Sequence, residues 1–174
     1  GKKSVVLDLD AEEGISQLKT LISGADILFE SFDHGFMQSI GLGPQRIEEL
    51  NPHLINVSIT AFGSSGPKAG WAYSDLTIQA SAGNMVLTGD EDRSPLRAGG
   101  TLPQAFANAA SEAAGAALIA LFERQNTSGL GQHVDVSAQH SMNQCTQSMS
   151  LATPLGGSVP TRVAGGAYLG NTRV

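Results

Sequence analysis

The stretch ADILFESFDHGFMQSIGLGPQRIEELNPHLINVSIT, residues 25–60, decides the fold. Asp26 to Phe32 is a short apolar run of strand type, and Leu54 to Thr60 is another. Between them a loop punctuated by Gly35, Gly41 and Gly43 leads to Pro44, whose missing N–H suits the first turn of a helix. That helix runs to about Leu50. Asn51-Pro52 ends it, because the residue before a proline is pushed out of the helical region.

Upstream, Lys3 to Asp10 alternates valine, leucine and aspartate like a strand, and Asp10-Ala11-Glu12-Glu13 then reads as a capped, acidic helix start. Ile15, Leu18, Leu21 and Ile22 recur at helical spacing, and Ser23-Gly24 stops the run. Strands alternating with helices at this spacing imply an α/β fold with an open, mostly parallel sheet covered by helices on both faces. Ligands are expected outside the carboxyl ends of such strands, so the loop after Thr60 is the one to inspect.

Downstream, GSSGPKAG at 63–70 is all turn chemistry, and a weaker helix from about Ser74 to Ala82 gives way to the polar turn Gly89-Asp90-Glu91-Asp92. The longest element, from about Leu102 to Arg124, is crowded with alanine and glycine and reads as a central buried helix. Gly129 and Gly131 bound a tight connection to a strand at 132–137, and a polar-rich helix from Ala138 to Leu151 follows. After Pro154 no period is visible. The expected division is residues 1–152 as one partial domain and 153–174 as a linker or docked extension.

The 41% hydrophobic content of the 174 residues supplies a core, and a formal net charge of -6 argues against a nucleic-acid grip. With one cysteine, Cys145, and four scattered histidines, no spacing resembles a metal site, and a reducing, cytoplasmic compartment is expected. No stretch approaches the roughly 20 apolar residues of a membrane span. GKKSVVLDL lacks the apolar core of a signal peptide, so the expectation is a soluble protein without a membrane partner.

Four segments in order carry a family resemblance: GKKSVVLDL at the start, FDHGFMQSIGLG at 32–43, NPHLINVSITAFGSSGP at 51–67 and GLGQHVDVS at 129–137. With Asp75, Ala80-Ser81-Ala82-Gly83 and Pro95-Leu96-Arg97 they account for most of the chain to Ala152, which resembles the class III coenzyme A transferases. The resemblance implies a Rossmann-like large domain, a second smaller domain and two ring-shaped subunits threaded through each other as a dimer. It also implies that this chain is a central fragment, cut at both ends.

Transferases of this kind use an aspartate that attacks an acyl-CoA thioester, giving a mixed anhydride that the thiolate converts to an enzyme-bound CoA thioester. Coenzyme A is then a substrate, exchanged between an acyl-CoA and a carboxylic acid. The resemblance places the aspartate at the start of the long helix, and counting from Pro95 puts Gln104 there. Counting back from Leu121-Phe122-Glu123-Arg124 shifts the match to Ala105 or Phe106. From Arg93 to Ser111 there is no Asp or Glu, and Glu112 lies about 12 Å along a helix from Gln104. A glutamine amide hydrogen-bonds but does not form the anhydride.

By the same resemblance Phe32, Ala61, Phe62, Gly63, Ser74 and Asp75 line the coenzyme site. Racemase relatives carry a histidine at Ser74, and other relatives carry Arg or Lys near Asp33. Read from the residues alone, Asp75 caps its own helix or orients a neighbour, and loop 61–67 is a surface turn or lies at the thioester. Gln104, Asn108 and Glu112 form a polar stripe toward solvent or another helix, or a remodelled site. His133 and Asp135 read as structural strand residues. Two functions stay open: a CoA-transferase acting on an acyl-CoA and an acid, or a non-catalytic CoA-binding chain that pairs as a homodimer or with a related subunit.

Overall fold

The computed structural model describes residues 1–146, 151, 154–157 and 162, with the backbone of 168–169 and 172–173. The chain divides into two compact units, Gly1–Thr60 with Ala113–Asp135, and Ala61–Glu112 with Val136–Val174.

In the first unit α1 (Glu12–Ser23), β1 (Ile27–Glu30), α2 (Phe36–Ser39), α3 (Pro44–Leu50) and β2 (Ile55–Thr60) follow one another. β1 and β2 run parallel with Ile27 opposite Ile55 and Glu30 opposite Ser58. β3 (His133–Ser137) lies on the other side of β2, giving the order β1-β2-β3. Parallel strands joined through helices are the unit that residues 25–60 imply. Every residue of β2 is buried, as a central strand covered on both faces requires. Ile22, Met37, Leu42, Ile47 and Leu54 form the core of this unit, with Ile15, Leu18, Leu28 and Leu50 packed against it.

Side-chain fastenings hold the amino ends of these strands. Asn51, buried after α3, donates from Nδ2 to the carbonyls of Ile22 and Ala25 at 3.0 Å each, so it closes the C-terminus of α1, whose last carbonyls have no helical partners. Arg124 donates to Asp26 Oδ1 at 2.8 Å and to the His53 carbonyl at 2.6 Å, tying the start of β1 to the start of β2. Gly131 N–H donates to the Pro52 carbonyl at 2.8 Å, and Asn56 N–H donates to the Gln132 carbonyl at 2.9 Å, which brings β3 alongside β2.

The second unit holds α4 (Asp75–Ala82), a single 3₁₀ turn at Asn84–Leu87, the first residues of α5 (Ala105–Glu123) and α6 (Ala138–Gln144). Ile78, Ala82, Ala105, Ala109, Val136, Ala138 and Met142 are buried there. Gly83, at φ 89°, ends α4 in the left-handed conformation that glycine adopts without strain. Gln139 and Asn143 of α6 donate to the Ser81 and Ala82 carbonyls, at 2.9 and 3.1 Å. Residues 168–169 and 172–173 form a short antiparallel pair. The last helix, expected to reach Leu151, ends at Gln144 with Cys145 and Thr146 in a turn; residues 147–150 and most of the proposed linker lie outside the described residues.

Four expectations are corrected. Lys3 to Asp10 is not a strand: Asp8 turns back, its carbonyl accepting from Ala11 N–H and its Oδ1 from Asp10 N–H, and Val6 stays 96% exposed. Alternation makes a strand only where a neighbour completes the ladder. Asp10 does not cap α1 either; Ala11 holds the cap position with no side-chain hydrogen bond. Third, α5 is buried along an alanine stripe only (Ala105, Ala109, Ala113, Ala117, Ala120), while Leu118, Ile119 and Phe122 are 63, 72 and 69% exposed. Against the expectation of no such stretch, Ala105–Ser128 is by length and composition apolar enough to cross a membrane. Five alanines of this stretch are buried, while its largest apolar side chains, Leu118, Ile119 and Phe122, are exposed.

Candidate functional site

The corner at the start of α5 is built from α4 outward. Ser74 caps α4: its Oγ accepts from Thr77 N–H at 3.2 Å, and its own N–H donates to Thr77 Oγ1 at 2.8 Å. With its own helix already capped, Asp75 reaches elsewhere. Its Oδ1 accepts from Ala105 N–H at 2.8 Å, so it serves the exposed N–H groups of α5 rather than those of α4. Its Oδ2 accepts from Arg97 Nη1 at 3.0 Å and Gln79 Nε2 at 2.8 Å.

Gln79 is fully buried and satisfied at both amide atoms. Its Oε1 accepts from Ala98 N–H at 2.9 Å, and its Nε2 also donates to the Ala98 carbonyl at 3.2 Å. Arg97 donates in addition to the Gly100 carbonyl. Loop 97–100 is therefore held at each residue that could swing it. Gly99 lies within it at φ 87°, and a Cβ placed there would sit 2.6 Å from Gln104 Nε2 and 2.7 Å from Gln104 Cδ. The Gln104 side chain, half-buried, thus lies flat on the bare face of Gly99.

Gln104 immediately precedes α5, and its carbonyl accepts from the N–H and Nδ2 of Asn108 at 2.9 and 3.1 Å. Within the stripe Gln104, Asn108, Glu112, the last two face another helix, α6. Asn108 Nδ2 lies 3.0 Å from Met142 Sδ, and Glu112 accepts from Ser141 Oγ and from Gln144 Nε2. Neither acid near the expected nucleophile position is idle: Asp75 holds three donors and Glu112 holds α6.

Of the residues singled out by sequence, Ser74, Asp75 and Gln104 come together here. Ala61 is buried with its carbonyl taken by Gln139 N–H at 3.0 Å, and Gly63 is buried at φ 91°. Phe62 packs edge-on against Trp71, centroids 6.3 Å apart, with Lys68 Nζ 5.7 Å from the Trp71 ring. Phe32 belongs to the first unit and stacks on Phe36 at 4.6 Å. His133 Nε2 meets Ser58 Oγ at 3.0 Å across β3 and β2, which agrees with the structural role expected of it. The groove of about 400 Å³ between Ala116–Glu123 and Gln132–Val134 is lined by His133 but by none of the residues expected at the coenzyme site.

Sequence reading missed Gln79, Gly99 and the pair Tyr73–Phe106, whose rings lie 5.7 Å apart at 38°. Gln79 had one local signal, its i+4 spacing from Asp75 on α4. The others depend on contacts between segments about thirty residues or a whole loop apart, which no local pattern carries. No group of three or more metal-ligating side chains is found among the described residues.

The chain as a whole resembles known proteins. The family model described as CoA-transferase family III matches residues 1–172. Succinyl-CoA:(R)-benzylsuccinate CoA-transferase subunit BbsE of Thauera aromatica is 40% identical over 137 residues, 79% of this chain and 33% of the relative. Succinate–glutarate CoA-transferase of Agrobacterium fabrum is 34% identical over 164 residues, 94% of this chain and 40% of the relative. The crystal structure of a CAIB/BAIF family protein from Brucella suis superposes with a TM-score of 0.86 at 34% identity, covering 94% of this chain and 42% of that one. The chain thus spans about a third to two fifths of the length of the curated relatives it matches. A match running through both units, on an α/β fold shared at this identity, establishes that the chain belongs to CoA-transferase family III.

Proposed function

We propose that the protein containing this chain takes part in moving coenzyme A between an acyl-CoA and a carboxylic acid, within a Rossmann-like large domain of a dimeric assembly. The observation that carries this reading is the corner at the first turn of α5, where Ser74, Asp75, Gly99 and Gln104 meet. A thioester carbonyl seated there would face the amino end of a long helix, a position that steadies negative charge developing on oxygen. The Gln104 amide can hydrogen-bond the acyl group, while the nucleophilic carboxylate is supplied elsewhere in the same protein. Coenzyme A enters as a substrate. The exposed thiol of Cys145 fits a reducing, cytoplasmic setting.

A second reading is favoured by one specific observation. The position expected to bear the nucleophile holds glutamine, and Asp75 and Glu112 are committed to structural partners. On that reading the chain is a non-catalytic CoA-binding subunit, working beside a homologue that supplies the aspartate.

Both readings are tested on the full-length protein by incubating it with an acyl-CoA, reading adduct masses on peptides covering residues 69–124, and then adding hydroxylamine, which cleaves an acyl anhydride or thioester. The wild type is expected to bind CoA and to form no adduct on these peptides. Gln104→Asp is expected to gain a hydroxylamine-sensitive adduct at position 104. An adduct on Asp75 or Glu112 in the wild type would overturn the placement of Gln104, and absence of CoA binding would remove both readings. Transfer by the wild type only after a homologous subunit is added would select the second.

A further inference from the structure

Tyr73 and Phe106 stand on either side of this corner. Tyr73 lies two residues before Asp75, Phe106 follows Ala105, and the Asp75–Ala105 hydrogen bond at 2.8 Å locks the two segments together. The rings meet at 5.7 Å in a tilted arrangement, and Tyr73 remains 41% exposed although it belongs to a well-held turn. Exposed apolar side chains continue outward along the same segments, with Trp71 at 58% and Leu102 at 66%. Singly such residues are ordinary; an aromatic pair fixed at the first turn of the helix that carries Gln104 is not.

Charge decides what this wall can receive. From Arg93 to Ser111 the only cation besides Arg93 is Arg97, whose guanidinium is taken by Asp75 and the Gly100 carbonyl. Arg93 is paired with Asp90 in the turn before it, and Lys68 lies over the Trp71 ring. Against the two rings themselves an acyl group ending in a second carboxylate would lose hydration with Arg97 already paired, whereas a flat apolar group would gain ring contacts without that cost.

Resting on the CoA-transfer reading and sharpening its substrate class, we propose that Tyr73 and Phe106 form an acyl subsite for a planar apolar group, of which a phenyl ring is the simplest. The test uses the full-length protein and calorimetric titration with acetyl-CoA, succinyl-CoA, phenylacetyl-CoA and free phenylacetate. Phenylacetyl-CoA is expected to bind about 10-fold more tightly than acetyl-CoA or succinyl-CoA, the scale of one or two aromatic pairs. In Tyr73→Ala, and separately in Phe106→Leu, which keeps apolar volume if the smaller residue unsettles the fold, that ratio is expected to fall to about 2-fold or less. Equal affinity for the three thioesters, a preference for succinyl-CoA, or a phenyl preference that survives both substitutions would overturn the subsite. Phenylacetate binding that depends on Tyr73 without any CoA binding would support the subsite and sink the transfer reading. Silence from every probe would sink both.

Discussion

Gly131→Ala is expected to destabilise the full-length protein by roughly 3 kcal/mol, which lowers its melting temperature by several degrees. A Cβ at this position would lie 2.5 Å from the Leu54 carbonyl carbon and 2.6 Å from that of His53, and both are main-chain atoms of the turn leading into β2. A side chain in the way could rotate; a backbone fastened on both sides cannot. Gly131 donates to the Pro52 carbonyl at 2.8 Å, and the next carbonyl accepts from Asn56 N–H at 2.9 Å, so relief of the overlap must pull β3 off β2. Gly115→Ala makes the contrast, because Gly115 is exposed within α5 and a Cβ there meets nothing within 4 Å. Alanine at 115 is expected to stabilise the helix by about 0.5–1 kcal/mol. Thermal unfolding followed by circular dichroism separates the two, and a Gly131→Ala protein melting within a degree of the wild type would sink this account.

The second large effect is expected at Asp75. Asp75→Ala removes the acceptor of three donors at once: the Arg97 guanidinium, the Gln79 amide and the first N–H of α5. The side chains of Arg97 and Asp75 are 28 and 11% exposed, so the ion pair is shielded but not sealed. Breaking a sealed pair costs about 3–5 kcal/mol, and an orphaned buried hydrogen-bonding group about 1–3. Arg97 keeps some water and the Gly100 carbonyl, which places the total at about 2–4 kcal/mol. Asp75→Asn is expected to do little better, since one of its two amide positions must point a donor at donors. Hydrogen exchange gives the sharper check, with protection lost at 97–108 and retained in α1. A variant losing less than about 0.5 kcal/mol would show the network to be incidental.

Both sites show what a linear sequence carries. The helix from Pro44, its end at Asn51-Pro52, both strands of residues 25–60 and the strand after Gly131 are written in local punctuation, and the structure has them within a residue or two. Lys3–Asp10 has the alternation of a strand but no ladder, and pairing is a property of the neighbour as much as of the segment. The length of α5 was legible from its alanines, yet the width of its buried face was not, because alanine suits a buried stripe and an open surface alike. Ser74, Asp75 and Gln104 were singled out by the family resemblance. That Asp75 serves the distant α5, while Ser74 caps α4, follows only once loop 97–100 is folded under Gln79.

The fastenings of the first unit share one location. Asn51 on Ile22 and Ala25, Arg124 on Asp26 and His53, and Gly131 on Pro52 all lie where β1 and β2 begin. The segments in which these strands finish, Ser31–Gly35 after β1 and Ala61 onward after β2, take no part in them. The rim where the strands begin is thus welded by residues of the first unit alone. A lineage that altered loops elsewhere would keep this weld, and with it the order of the strands. A protein engineer inherits the same rule, and the welded rim is the one to leave untouched.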